Sequence, residues 1–484
     1  MIHRMKRFLE TAVLLYAGVC AVLAETRDYS TYYTNLPVEL KQAQPPQIPD
    51  RRVVLTDFGA IGDGMTLATE AFGAAIRSLV SQGGGHLIVP EGIYLTGPIR
   101  LESNIDLHLE RNAVIYLSPD KRLFLNPENP SGRCLSGISA DGCSDIAITG
   151  RGVIDGNGTG WHYAKRVKMS DTEWNALLER GGHVTGDGKL WYAWNLRDGS
   201  PNVADTPQRQ ERMRADLIRL TDCERVLLEG VTVQNSPRFH VHPFYCSDLI
   251  IDGITVTCPW NVQNGDGIDV TDCHRVLIVG TTVDVGDDGL CMKSDPPQPG
   301  RISGNEDFLI EGNTVRHAHG GFVMGSNTSS GMRRFVVRHN TFTRTDTGLR
   351  FKSGIGRGGR TEQIYISDIM MADIAHEAVI FQCDYEDKAP GETVDRFNEQ
   401  DYLARFTSGQ LKWTPDFQDI RISRIVCRGA RTAIKAAGLP GLNCVHDISI
   451  CRSVFLYNKE GAVIDEPTAK ITLSDVDIRP IAGQ

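Results

Sequence analysis

Positive charge is not in excess in this chain of 484 residues: 51 Lys and Arg face 60 Asp and Glu, for a formal net charge of −9. Nucleic acid is therefore not an expected partner, because phosphate binding rests on concentrated basic surface. No apolar run reaches the ~20 residues of a spanning helix, so no stable membrane span is expected. CxxC spacings are missing as well, which removes the usual zinc signature. Hydrophobic residues at 41% and charged residues at 23% exclude global disorder and collagen. Glycine is plentiful, with 49 residues beside 22 prolines, and implies many turns between short strands.

Residues 1–24 begin with Arg4, Lys6 and Arg7, run through apolar Ala12 to Leu23, and finish on Val22-Leu23-Ala24. That order is expected to be a signal peptide, placing the protein in the periplasm or outside the cell. Residues 25–50 then read as an N-terminal extension, and 51–484 as a single domain.

Four of the twelve cysteines share one octapeptide position: Cys143-Ser-Asp-Ile-Ala-Ile-Thr-Gly, and the segments starting at Cys223, Cys246 and Cys273. The pattern continues without cysteine from Asn305, Met332, Phe417 and Thr468. Like residues at one repeat position suggest a ladder of buried structural thiols, with an isolated disulfide open between neighbours. Starts from Cys223 to Met332 are separated by 23, 27, 32 and 27 residues, an irregular period of stacked units with variable loops. The units hold short β-branched runs such as Val226-Leu-Leu-Glu, bounded by Gly, Asn or Asp. The spacing predicts an all-β right-handed parallel β-helix, each coil ~4.8 Å from the next.

Helical periodicity is confined to the entrance. Thr69 is placed to cap a helix whose Phe72, Ala75, Ile76, Leu79 and Val80 cover the first coil, ending at Gly83-Gly84-Gly85. An insertion at about 156–214 interrupts the coils and carries Trp161, Trp174, Trp191 and Trp194. Those rings form either a packed loop cluster or a sugar-stacking wall beside a cleft.

Chemistry concentrates in four consecutive coils. Asn264-Gly-Asp266-Gly-Ile-Asp269 is followed one coil later by Gly286-Asp287-Asp288-Gly289. Each alone is an ordinary turn sequence, but a spacing of one coil stacks the carboxylates. Acids packed this way split their pKa values, the division that general-acid and general-base work at a glycosidic bond requires. Ala318-His319-Gly320-Gly321 and Arg350-Phe351-Lys352 complete the set. Alternation places Arg350 and Lys352 on one side of a strand, where they suit a carboxylate-bearing substrate.

Taken together in this order, Asn264-Gly-Asp266, Gly286-Asp287-Asp288, His319-Gly320 and Arg350-Phe-Lys352 resemble the signatures of glycoside hydrolase family 28, the polygalacturonases. The likeness extends from Phe58-Gly-Ala-Ile-Gly-Asp-Gly through Asn235-Ser-Pro237 to the last coils. The insertion and Gly348-Leu-Arg-Phe-Lys-Ser resemble the bacterial exo-acting branch. The resemblance implies a pectic polysaccharide or oligogalacturonide substrate, α-1,4-linked and cut with inversion from the non-reducing end. It implies Asp287 as general acid, Asp266 and Asp288 as activators of water, and His319 as tuner of their protonation. Arg350 and Lys352 would bind galacturonate carboxylates, Asn264 would orient the acids or a sugar hydroxyl, and Lys293 is a further candidate substrate contact. His242, Asn327 and Glu377 are weaker candidates. No cofactor and no metal are implied, and a monomer is expected. Gly265, Ala318 and Phe351 depart from the family's usual residues, which bears on subsite shape. Two alternatives stand beside this reading: a calcium-dependent enzyme like the pectate lyases, and a non-catalytic polysaccharide-binding β-helix.

Overall fold

The computed structural model describes residues 27–385 and 413–481. The expected signal peptide at 1–24 lies outside the described residues. Contacts divide the chain into residues 1–36 and a second unit from Pro37 onward. In the first, the described part holds a short 3-10 helix, Ser30–Tyr33, and Arg27 lies over the rings of Tyr29 and Tyr32.

The second unit is a parallel β-helix, right-handed as parallel crossovers are. Its coils lay strands into three stacks. One stack runs through Ser144–Gly150, Glu224–Glu229, Ser247–Asp252 and His274–Val279. A second runs through Val153–Asp155, Thr232–Gln234, Thr255–Thr257 and Thr282–Asp284. The third, which carries the chemistry, runs through Ile218–Thr221, Val241–Phe244, Ile268–Thr271, Leu290–Ser294, Gly320–Thr328 and Thr347–Lys352. Pairing in register places like residues on like, so one apolar column (Ile148, Leu228, Ile251, Ile278, Ile310) fills the interior with no exposed surface. Phe308 stacks on Phe335 and Phe351 on Phe381, at centroid separations of 4.3 and 4.4 Å.

The octapeptide has a specific backbone cause. Its third residue adopts a left-handed conformation in successive coils: Asp145, Arg225, Asp248, Arg275, Asp307 and Arg334 have φ between 53° and 64°. Acid and base alternate along this corner and pair with one another. Arg225 donates to Asp145 across 2.8 Å, Arg275 to Asp248 across 2.8 Å, and Arg334 to Asp307 across 2.7 Å. Stacking thus converts a strained position into an ion-pair ladder. The octapeptide cysteines are buried free thiols, and no disulfide occurs among the described residues.

The entrance helix spans Thr69–Val80 and buries Ala71, Phe72, Ala75, Ile76 and Leu79. Two details differ from expectation. Ala68 occupies the N-cap, while the Thr69 hydroxyl accepts from the Gly97 N–H at 2.7 Å. Val80 is turned to solvent, because the helix ends before its face comes round again.

The stretch between Val153–Asp155 and Ile218–Thr221 forms a small subdomain. Its strands Tyr163–Lys165, Gly181–Val184 and Leu190–Leu196 make an antiparallel sheet, followed by helix Pro207–Arg212. A Ser170–Glu173 capping box starts helix Asp171–Glu179, which seats Trp174 against Trp191, Ala193 and Leu196. The Trp161, Trp174 and Trp191 rings are buried, and the Trp194 indole donates to Ala204 O. They form packing, not a sugar-stacking wall: each indole is drawn into apolar contact or a backbone hydrogen bond.

Candidate functional site

Outward-facing residues of the third stack form a column through Arg219, His242, Asp269, Cys291, Val323 and Arg350. Lys293 and Lys352 stand in the parallel column two residues on. The acids enter this face from the turns that precede the strands. Those turns stack directly: His240 N–H donates to Asp266 O, Gly267 N–H to Asp288 O, and Gly289 N–H to Gly320 O, all at 2.9–3.0 Å. Glycine is required where the turns touch. A Cβ on Gly267 would lie 2.6 Å from Gly289 O, and one on Gly286 would lie 2.4 Å from Val262 O.

All eight residues anticipated for the site meet here. Asp287 accepts from the Asn264 N–H at 2.9 Å and the Asp288 N–H at 3.0 Å, and its Oδ1 lies 3.0 Å from His319 Nδ1. Asp288 accepts from Lys352 at 2.6 Å and from Arg350 at 3.5 Å. Lys293 bridges Asp266, at 3.3 Å, and Asp269, with which it makes a short ion pair. One carboxylate oxygen of Asp266, one of Asp269 and the Nε of Arg350 are buried without partners. Lining carboxylate, imidazole and thiol atoms crowd within 4.8 Å in two groups, Asp266–Asp288–Cys291 and Asp287–Asp288–His319. Such groupings could hold a cation, but Lys293, Lys352 and Arg350 already place positive charge against these acids.

Burial raises the Asp266 carboxyl to about 7, with the Asp287 charge adding and Lys293 opposing. Burial acts upward on Asp287 too, yet the His319 imidazolium, Lys352 and the Asn264 N–H outweigh it and hold Asp287 below the ordinary carboxylate range. His319 is pushed down by burial and pulled up more strongly by Asp287, ending above its usual value. Burial brings Lys293 down to about 8 against the pull of Asp266. Burial and neighbouring charge thus favour the proton on Asp266, whereas sequence reasoning placed it on Asp287. The reason is local: Asp287 has the direct contact with imidazolium, and Asp266 has an unpartnered oxygen.

Several contributors carried no sequence signal. Lys168, from the insertion, contacts His319 Nε2, and Asp346 lies 3.6 Å from the same nitrogen. Arg214, buried where the insertion ends, donates to Pro237 O, Gln263 O and Asn264 Oδ1 at 3.0 Å. The Tyr385 ring lies under Arg350 and Lys352. Among the weaker candidates, His242 is tied to buried Asp216 at 2.8 Å. Asn327 donates to Asp295 and Glu377 pairs with Lys435, so both face away from the acid cluster in their bonding.

Residues 163–398 match the pattern of glycosyl hydrolases family 28. An exo-poly-alpha-D-galacturonosidase of Dickeya chrysanthemi is 27% identical over 439 residues, covering 87% of this chain and 69% of that protein. A probable polygalacturonase of Vitis vinifera is 30% identical over 334 residues, covering 66% of this chain; the aligned part spans 60% of the grape protein, less than two thirds of its length. Among solved structures, a hyperthermoactive exopolygalacturonase from Thermotoga maritima matches with a TM-score of 0.67 and 28% identity, covering 90% of this chain and 94% of that one.

Proposed function

We propose that the chain is a member of glycosyl hydrolases family 28 and that it hydrolyses α-1,4-linked galacturonic acid in pectin, removing sugar from the non-reducing end. The observation that carries this reading is a cluster of three acids flanked along one face by cations, with Lys293 on one side and Arg350 and Lys352 on the other. Acids perform the bond cleavage, and cations recognise a substrate that bears a carboxylate on each sugar.

In the proposed mechanism Asp287, at 16% exposure the most accessible of the three carboxylates, protonates the leaving glycosidic oxygen. Asp266 and Asp288 hold the attacking water and take its proton, which inverts the anomeric carbon. Substrate carboxylates entering beside Arg350 add negative charge, which raises the proton affinity of Asp287 and moves the shared proton toward it. Lys352 is occupied by Asp288, so Arg350, with an unpartnered Nε, makes the main contact to substrate.

The short spacing supports a second reading. Inverting enzymes usually separate their carboxyl groups by about 6.5–9.5 Å and retaining ones by about 5–5.5 Å. Oxygens of Asp287 and Asp288 lie within 4.8 Å here, which suits retention through a carboxylate nucleophile. Proton NMR of the first-formed product separates the two: the β-anomer supports inversion, and an initial α-anomer would overturn it. A chelator-sensitive, ultraviolet-absorbing unsaturated product would instead support the lyase alternative. The basic start and small-residue finish of residues 1–24 support export, which N-terminal sequencing of the protein from culture or periplasm tests.

A further inference from the structure

His319 has two neighbours at one nitrogen whose demands conflict. Its Nδ1 faces Asp287 Oδ1 at 3.0 Å, while its Nε2 faces Lys168 Nζ at 2.5 Å and Asp346 Oδ2 at 3.6 Å. An ammonium can donate to Nε2 only if that nitrogen is bare. A carboxylate can accept from it only if it carries a proton. Lys168 therefore stabilises neutral imidazole protonated on Nδ1, and Asp346 stabilises imidazolium. The charged groups facing the pair are Asp287 and Asp288 across the site, Asp346 beside it, and Lys165 on the inserted strand.

We propose that Lys168 is a positioning residue, brought by the inserted subdomain, that biases His319 toward the neutral form protonated on Nδ1, against the pull of Asp287 toward imidazolium, so that Asp287 can carry the proton it donates. The proposal rests on the assignment of Asp287 as general acid. Neutral His319 still gives Asp287 one hydrogen bond through Nδ1–H. It moves the nearest cation from the imidazole to the far side of the ring, where Lys168 stands. The ionised form of Asp287 then loses its closest stabilising charge. Seating of the subdomain against the β-helix thereby sets the protonation of the acid, and a displaced subdomain leaves His319 to Asp346 and to Asp287 as an imidazolium.

The geometry explains why a lysine suits this place. Lys168 is one of two long basic side chains in a single-turn 3-10 segment, Arg166–Lys168. Arg166 turns back to Met169 O and Asp171 within the subdomain. Lys168 alone extends to the acids.

The test uses the full-length enzyme with ¹⁵N-labelled histidine. In the wild type, the neutral form that His319 reaches as pH rises should be the tautomer protonated on Nδ1. Lys168→Met should raise the His319 titration midpoint by about one unit, and Asp346→Asn should lower it. A one-unit change corresponds to a tenfold change in protonation equilibrium. The basic limb of kcat/KM in Lys168→Met should move to lower pH, with kcat at neutral pH down about tenfold and KM little changed. Lys168→Arg, which still donates to Nε2, should restore the wild-type limb. An unmoved His319 titration in a Lys168→Met protein with a normal melting transition would overturn the proposal, as would a wild-type neutral form protonated on Nε2. Failure of the underlying assignment is distinguishable: Asp287→Asn would then retain turnover, whatever His319 does in the Lys168 variants.

Discussion

Lys352 donates to Asp288 across 2.6 Å with both side chains almost fully buried, while Arg350 approaches the same carboxylate only at 3.5 Å. The two cations of Arg350-Phe-Lys352 therefore divide their work. Burial opposes the charge on Lys352, but Asp288 overrides it and holds the ammonium above its usual range. Arg350 is held more loosely, at 3.5 Å from Asp288, and its Nε has no partner.

That division predicts different kinetics for the two variants. Lys352→Met leaves Asp288 buried beside a neutral chain, so kcat should fall by one or more orders of magnitude, equally on free-acid and methyl-esterified oligogalacturonides. Arg350→Gln should chiefly raise KM on the free acid and lose less on the ester. Steady-state assays on the two substrates check this. Equal losses for Arg350→Gln would reassign Arg350 to a structural role.

Asp287→Asn keeps the shape of the side chain and removes the proton donor. We expect kcat to fall about 10²–10⁴-fold, with substrate binding and the melting transition retained. Product release followed by chromatography and binding followed by calorimetry read the two effects separately.

The acidic limb of activity should belong to Asp266, which must be ionised to take a proton from water. Burial places that carboxyl at about 7, and Lys293 acts to lower it. Lys293→Met removes the lowering charge, so the limb should move to higher pH. A limb that stays in place or moves down would dissociate Asp266 from water activation.

These site expectations and the fold were unequally legible. The octapeptide could be read because every coil repeats the same left-handed corner and inward column. Even so, the coil at Arg360–Ser367 escaped notice, since Gln363 occupies the left-handed position where neighbours carry Asp or Arg. Asp266 and Asp287 were legible from their one-coil spacing, which the parallel register converts into contact. Lys168 was not, because the inserted subdomain follows no repeat and its approach to His319 depends on tertiary packing; Asp346, just before strand Thr347–Lys352, carries no motif of its own. The tryptophans left two readings open for a related reason: composition marks them as aromatic without saying which way they face. Glycines 267 and 286 were readable only as turn formers, while the structure shows them also as points of backbone contact between coils.

Asp216 offers a stability test away from the acids. It is fully buried and paired with Arg238 at 2.9 Å, Arg219 at 3.1 Å and His242 at 2.8 Å. Burial opposes its charge, but Arg238, His242 and Arg219 together hold its pKa well below the usual value. Asp216→Asn leaves the half-buried Arg219 and Arg238 without their carboxylate and should cost about 1.5–3 kcal/mol in denaturant unfolding near neutral pH. A carboxyl depressed on folding contributes fully above its unfolded value of about 3.9 and loses that contribution as pH falls toward the folded value. The gap between wild type and variant should therefore be constant above pH 5 and close below pH 4. A gap that persisted at low pH would show that packing, not charge, holds this cluster.

The mode of attack follows from how the inserted subdomain is held. Both of its ends reach residues bonded to Asp287: Lys168 contacts His319, and Arg214 at its exit fixes Asn264 and the neighbouring backbone. Its own buried Trp174 and Trp191 make it a packed body, so it should act as a wall rather than a loop that a polymer can push aside. A wall joined to the turns proposed as catalytic would leave a bound chain open in one direction only. With the tryptophans buried, recognition of the chain end falls to charged and hydrogen-bonding groups, not to ring stacking. We expect galacturonic acid, or its dimer, to be released from the non-reducing end, with polygalacturonate viscosity falling slowly as reducing ends accumulate. Oligogalacturonides labelled at the reducing end discriminate directly. The label should remain on progressively shorter remnants, and its early release as monomer would place the wall on the opposite side of the site. A rapid viscosity drop with mid-length products would mean that a polymer can pass the subdomain, and would remove the exo reading.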